Sequence, residues 1–416
     1  MVCNVLMSAP REKIPYYSPF RPTINRVVGR LSSSNLLPHS LEMDDIVRRS
    51  ISLAGSDDFG GDDWSEPLGL LLDGYASTSK LTELGRLVAR RLVIGMLTNR
   101  LRTFQKLNNL GDLNRVRQPV FILGLPRTGS TLLHELLDIH PLLRTPKLWQ
   151  ADSVPNDDWT DWQRVFTSFL RTKMVDMISP GFKSIHRLGA TRPHECVTIQ
   201  GLSFRSMQFH AIHRVDGYHE WLGRCDWSPA YLWHERYLRV LSNRFKSDER
   251  WLLKAPGHML GIEALWRQYP DAKLIQLHRH PGEVIPSMAS LYASLRSGCS
   301  EQVDFHQLGE SLLEEWRVGL DRVLNLRRSE EQADRSCLDL SYKDMIGDPL
   351  RAVEQILEFL DLPFDQNIKV KMEDYLVSNR KGKHGKHRYD LAFFGLTDYK
   401  IELAFSEYIE AHQLDN

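Results

Sequence analysis

What the sequence lacks narrows it first. No stretch of roughly 18 or more consecutive apolar residues occurs in the 416-residue chain, so no segment reads as a membrane-spanning helix. The opening MVCNVLMSAPREKIPYYSP has no sustained apolar core and does not read as a signal peptide, so a cytoplasmic protein is expected. Cysteine is scarce. Cys3, Cys196, Cys225, Cys299 and Cys337 are odd in number, scattered and without a CxxC pair, which argues for reduced core thiols over a disulfide framework or a zinc site. Net charge is absent as well: Lys+Arg and Asp+Glu both total 53. Without a whole-protein positive field, nucleic acid is not an expected partner and any anion site must be local. Internal repeats and low-complexity tracts are also missing.

What is present is an α/β pattern. Residues 1–40, with SPFRP and RLSSSNLLPHS, read as an extended arm, and 41–115 as a helical extension. In KLTELGRLVARRLVIGMLTNRLRTFQKL, Leu81, Leu84, Leu87, Val88, Leu92, Met96 and Leu97 recur at spacings of three and four, a helical stripe. PVFIL, RWLLKAP, AKLIQLHRHP and SCLDLSY read as strands, with helical GIEALWRQY between the second and third. Strand–helix–strand order implies a parallel sheet built by right-handed crossovers. DPLRAVEQILEFLDLPF opens on Asp348-Pro349, a good helix start. The expected fold is a P-loop-like central parallel sheet flanked by helices, spanning 116–400 and followed by a tail helix over 401–416.

The first strand runs into FILGLPRTGSTLLHELLDIHP, Phe121 to Pro141. Strand, glycine turn and helix in this order can aim consecutive backbone N–H groups and the helix dipole at one phosphate. Gly124, Gly129 and Thr131 occupy the glycine and hydroxyl positions of GxxxxGK[ST], but Ser130 stands where nucleotide hydrolysis needs lysine. Arg127, inside the loop, is the nearby cation. It suits a shorter anion whose leaving oxygen lies close to the loop, where developing charge can be neutralised. An ordinary strand-to-helix turn satisfies the same short pattern. No aspartate closes KLIQLH to hold magnesium, and Asp339 is a weak substitute, so metal-dependent phosphoryl transfer has little support. Two further basic features follow. Arg279 comes just after a strand with Ser287 on the next helix, either an ordinary Arg-His-Pro surface turn or a pair able to grip one phosphate from two sides. SNRKGKHGKHRYD, 378–390, is either a solvated basic loop or a lid over a phosphate.

Together these pieces resemble sulfotransferases that use 3′-phosphoadenosine 5′-phosphosulfate. The family's Pro-(Lys/Arg)-x-Gly-(Ser/Thr)-Thr loop is similar to Pro126-Arg127-Thr128-Gly129-Ser130-Thr131, and its arginine–serine pair, eight residues apart, to Arg279 and Ser287. Its late Arg-Lys-Gly segment is matched by Arg380-Lys381-Gly382, with Arg388 a rival register. The chain looks closest to a broad branch carrying GLPRTGTTLLH, WxLKxPxH and RxxYxLxxFGL, here Gly124–His134, WLLKAPGH and HRYDLAFFGL. The resemblance implies that the loop holds the 5′-phosphosulfate, that Arg279, Ser287 and the late basic segment hold the 3′-phosphate, and that no metal takes part. The product nucleotide would be 3′-phosphoadenosine 5′-phosphate.

It further implies a general base for the acceptor's proton. His258, in Lys254-Ala-Pro-Gly-His258, departs from a Lys-x-His motif of the cytosolic branch and is the first choice, with a helix-capping histidine as the structural alternative. Glu135, one turn into the loop's helix, is the second, since other branches use a glutamate. His134, His194 and Glu195 follow, and Lys254 is expected to stabilise sulfuryl oxygens. Six of the ten tryptophans lie between Trp149 and Trp233, either as core packing or as the wall of a hydrophobic acceptor pocket. A hydrophobic alcohol or phenol, less readily an amine, is the expected acceptor; homo-oligomers are compatible with the sequence. The competing readings are a small-molecule kinase with an aberrant loop and a catalytically silent nucleotide-binding scaffold.

Overall fold

The computed structural model describes residues 18, 20–34, 37–111, 115–154, 159–179, 188–243, 248–379 and 391–414. Among the described residues four helices precede the sheet: α1 (Arg21–Ser33), α2 (Met43–Ala54), α3 (Ser65–Ser77) and α4 (Glu83–Leu110). The strands are β1 (Val120–Gly124), β2 (Leu143–Arg144), β3 (Arg250–Lys254), β4 (Lys273–His278) and β5 (Cys337–Ser341). All neighbouring pairs are parallel, in the order β2-β3-β1-β4-β5. β1 is central and buried throughout. Its alternation divides the interior: Phe121 and Leu123 face a core with Phe204, Trp233 and Leu253. Val120 and Ile122 face Leu133, Leu136 and Leu137 of α5 (Ser130–Leu137) and Val353 of the helix Pro349–Phe359. Both faces being covered, β1 carries no polar side chain.

The four strands read from sequence are present, and β2 is an addition. With two residues, it is too short to show a period of its own and exists through its pairing with β3, Leu143 opposite Arg250.

The first 40 residues are not wholly extended, because Arg21–Ser33 is helical. Pro22 sits in the first turn, where its missing N–H has no partner to lose. Val28 is buried, and Asn25 Oδ1 accepts from the Leu84 N–H at 3.0 Å, tying α1 to the start of α4. There Thr82 caps α4 through the Gly85 N–H, at 3.0 Å. The apolar stripe of α4 serves two ends. Leu84, Met96 and Leu97 are buried, while Leu87, Val88 and Leu92 line a large cavity together with Met96.

Among the described residues, Cys196, Cys225, Cys299 and Cys337 are free thiols, as their spacing suggested. Burial pushes Cys196 up to about 12 and Cys225 up to about 11, which keeps both protonated and inert at neutral pH. No described helix is long and apolar enough to cross a membrane.

Candidate active site at the ends of the strands

In a parallel sheet every strand ends at the same edge, and ligands bind where the crossovers reverse direction. Here that edge gathers the loop after β1, Lys254 at the end of β3, Arg279 after β4 and Tyr342 after β5. The register explains the meeting: Gly124 pairs with Leu277 and His278 with Ser341, so Arg279 and Tyr342 leave the sheet side by side. The Arg279 guanidinium lies over the Tyr342 ring at 4.1 Å.

The loop conformation is set by two glycines. Gly124 has φ +122°, and a Cβ there would come within 2.5 Å of the Leu277 carbonyl oxygen. Gly129, the N-cap of α5, has φ +83°, and a Cβ would meet Met345 Cε at 2.1 Å. Arg127 adopts φ +68° although it has a side chain, a strained backbone of the sort found at binding loops. Its carbonyl accepts from Arg279 Nη1 at 2.7 Å, which fastens the loop to the second corner. Thr128 turns inward and donates to the Leu125 carbonyl at 2.8 Å.

One cavity of about 1320 Å³ is lined by Pro126, Arg127, Gly129, Ser130, Thr131 and Arg279. The same cavity reaches Lys254, His194 and Glu195, and then an apolar wall from α4, from the helix Asp161–Ile178 and from the helix Pro281–Cys299. Lys254 is 3% exposed, and its ammonium donates to Glu195 Oε1 at 2.5 Å. A buried ammonium needs this carboxylate, and the carboxylate reaches the cavity. His194 Nε2 lies 2.9 Å from Thr198 Oγ1, and burial holds its pKa below the usual value. Ser287 is buried in the Pro281–Cys299 helix, nearly two turns from its start, and is not among the lining residues. Arg380, Lys381, Gly382 and Arg388 lie outside the described residues; Asn379, just before them, lines the cavity.

Three sequence-predicted bases fall elsewhere. His258 is fully buried in the 3-10 turn Pro256–Gly261, its Nδ1 3.0 Å from the Tyr231 hydroxyl and its ring edge-on to Phe121. It does not line the cavity, and burial drives its pKa well below that of a free histidine. A strand-end position suggested access, but the turn carries the ring under β1 into the core. Glu135 accepts from Arg192 and from the Tyr375 hydroxyl and also lies outside the lining. Burial lowers His134 to about 3, with Lys254 adding to the effect. His258 and Glu135, the first and second choices of base, thus lie outside the cavity, whereas Glu195 lines it. Sequence ranked Glu195 behind His258 and Glu135; its partner, Lys254, lies 59 residues away. Asp339, the weak magnesium candidate, is engaged by Arg327 at 2.7 Å to each oxygen and by His278 at 2.8 Å.

A P-loop-like α/β fold with a glycine loop, a second cationic corner and a carboxylate in one cavity fits a group transferase. The chain is a member of the sulfotransferase family, whose model matches residues 119–366. It is similar to sulfotransferase STF1 from Mycobacterium tuberculosis H37Rv, a crystal structure at 30% identity with a TM-score of 0.76, covering 88% of this chain and 98% of that one. Sulfotransferase STF9 from Mycobacterium avium, at 24% identity, shares the fold with a TM-score of 0.77 over 90% of this chain and 98% of that one. Omega-hydroxy-beta-dihydromenaquinone-9 sulfotransferase Stf3 of Mycobacterium bovis is 27% identical over 274 residues, 65% of this chain and 69% of that protein. Sulfuryl transfer is the activity these relationships support.

Proposed function

We propose that the protein transfers a sulfuryl group from 3′-phosphoadenosine 5′-phosphosulfate to the hydroxyl of a large hydrophobic alcohol, with Glu195 as general base. The observation that carries this reading is the single cavity joining the Pro126–Thr131 loop, the Lys254–Glu195 pair and an apolar wall. At about 1320 Å³ it exceeds the roughly 300–1,000 Å³ of a pocket for one drug-sized ligand, which suits two substrates meeting within it. The mycobacterial relative Stf3 acts, by its name, on a hydroxylated dihydromenaquinone, an acceptor of the same character.

The chain's own groups divide the work. The donor supplies a sulfuryl group already activated by its phosphate leaving group. The α5 N-terminus, Ser130 and Thr131, which line the cavity, fit the oxygens of that 5′-phosphate. Arg127 neutralises charge as the sulfur–oxygen bond to the phosphate breaks. Glu195 takes the acceptor's hydroxyl proton as the new sulfur–oxygen bond forms. Lys254 is within reach of the same centre and steadies the carboxylate before transfer. Arg279 and, from the helix behind it, Ser287 are assigned to the 3′-phosphate, with Arg380, Lys381, Gly382 or Arg388 closing over it. The kinase reading is weaker, because Ser130 replaces the lysine and Asp339 is spent on Arg327 and His278.

Thermal unfolding in the absence of magnesium tests the donor. 3′-Phosphoadenosine 5′-phosphate is expected to raise the melting temperature well above the shifts given by AMP or ATP at equal concentration. Equal shifts for all three would remove the two-phosphate assignment. A labelled-donor assay against hydrophobic alcohols then tests transfer.

A further inference from the structure

The helix Asp161–Ile178 is inverted. A surface helix ordinarily turns its apolar stripe inward and its polar residues to water. Here Arg164, Ser168 and Thr172, spaced by four, are buried. Arg164 lies over the Trp149 ring at 4.6 Å and donates to Ser153 Oγ at 3.1 Å, while Ser168 donates to Asp152 Oδ2 at 2.7 Å. The apolar stripe faces out: Trp162, Phe166, Phe169, Leu170, Met174 and Met177 are all exposed, Trp162 at 71% against 2% for Arg164. Trp162 and Phe166 stack on each other at 5.4 Å, and Lys173 Nζ sits over Phe169 at 5.2 Å. So many large apolar side chains on one exposed helix face mark a contact surface.

Its location says what it meets. Leu53, Trp159, Leu170 and Met174 are at once exposed and part of the cavity lining, so the cavity opens through this face. Arg49, Arg91 and Arg171 stand exposed around the same lining, with Lys173 on the helix itself; Arg171 is also 3.6 Å from Asp152. Aromatic and aliphatic residues on one face, flanked by cations, match a bilayer interface: rings sit at headgroup depth and cations meet anionic lipid. No described helix is built to cross a bilayer, so the contact is peripheral.

We infer that the Asp161–Ile178 helix docks the protein on an anionic phospholipid surface and that the acceptor enters the cavity from that surface. Docking is independent of the proposed reaction; only the delivery of acceptor rests on reading the cavity as its site. The test is sedimentation of the full-length protein with phosphatidylcholine–phosphatidylglycerol vesicles and with pure phosphatidylcholine vesicles. The wild type partitions onto the mixed vesicles, and replacing Trp162, Phe166 and Phe169 together by serine lowers the partition coefficient roughly tenfold or more. Lys173→Glu lowers it roughly fivefold on the mixed vesicles and little on the neutral ones. Stabilisation by 3′-phosphoadenosine 5′-phosphate, measured on the same variants, stays at the wild-type level, since none of the four residues lines the cavity. That measurement keeps docking and donor binding separate. Equal partitioning of wild type and triple variant, or no partitioning at all, overturns the inference. So does a solution dimer that the triple variant converts to monomer, because the covering surface is then a second copy of the chain.

Discussion

Replacing Glu195 by glutamine changes one atom and removes one charge, and the consequences can be worked from its surroundings. Lys254 is 3% exposed and pairs with Glu195 at 2.5 Å, whereas the Glu195 side chain keeps 22% of its exposure. Breaking a fully buried ion pair destabilises by about 3–5 kcal/mol. Glu195 reaches solvent and a glutamine oxygen can still accept from the ammonium, so about 1–3 kcal/mol is expected here. Glu195→Gln therefore folds with a lowered melting temperature and still gains stability from 3′-phosphoadenosine 5′-phosphate. Turnover is another matter. An amide cannot take the acceptor's proton, and loss of a general base lowers kcat by about 10²–10⁴-fold. The assay is initial rate at saturating donor and acceptor, normalised to protein that binds the product nucleotide. His258→Ala is the companion variant. It leaves a core cavity beside Phe121 and loses about 2–4 kcal/mol of stability, yet its folded fraction keeps turnover within about tenfold of wild type. If Glu195→Gln turns over at the wild-type rate while folded His258→Ala is inactive, the assignment of the base is wrong.

Two further outcomes are expected. Arg279→Ala loses the bond to the Arg127 carbonyl and the contact with Tyr342, so donor binding weakens by about 2–4 kcal/mol with little change in acceptor affinity, as calorimetry on each ligand can measure. Acid unfolding comes early: burial holds His134, His213 and His234 at about 3, against about 6.5 in an unfolded chain. Their folded pKa is depressed, so stability is full above 6.5 and falls as the pH drops toward 3, by about 1.4 kcal/mol per pH unit for each histidine. Circular dichroism should show the fold lost near about pH 5; native spectra persisting to about pH 4 would contradict this.

The legible parts of the fold were those with strong local signals. β1 is a continuous apolar run ending in the glycine turn, and its two glycines are required by positive φ at Gly124 and Gly129. The loop and the Arg279 corner were readable because each follows a strand directly, and parallel pairing brings strand ends to one edge. Glu195 was hard to rank because its meaning comes from a contact. It lies in a segment of short turns without a sustained period, just before the four-residue helix Val197–Gln200. The Cys196 N–H bond to the Lys254 carbonyl, at 2.9 Å, together with the Glu195–Lys254 pair, brings that segment against β3. His258 misled for the complementary reason. Position at a strand's end predicts proximity to the site, but the following backbone decides which side of the sheet a side chain enters, and Pro256–Gly261 turns it into the core.

The Asp161–Ile178 helix shows where pattern reading has a limit in principle. A period of 3.6 identifies which residues share a face, and Trp162, Phe166, Phe169 and Met177 do share one. It does not identify the medium that the face meets. The usual inference, apolar inward, holds when a protein's own core is the only apolar phase within reach. Here the inward face is taken by Arg164 and Ser168, whose hydrogen bonds to Ser153 and Asp152 satisfy them, and a salt bridge links Arg164 to Asp161. A buried arginine held by Ser153, Asp161 and the Trp149 ring is not readily rotated to water, because its contacts would have to be broken together. The orientation is thus fixed by the polar face, and the apolar face is left to seek its own solvent. Tryptophans counted as core or pocket residues accordingly divide: Trp233 packs in the core at 0% exposure, and Trp162 stands outside at 71%. The position of each in the sequence could not separate them; the partners of Arg164 do.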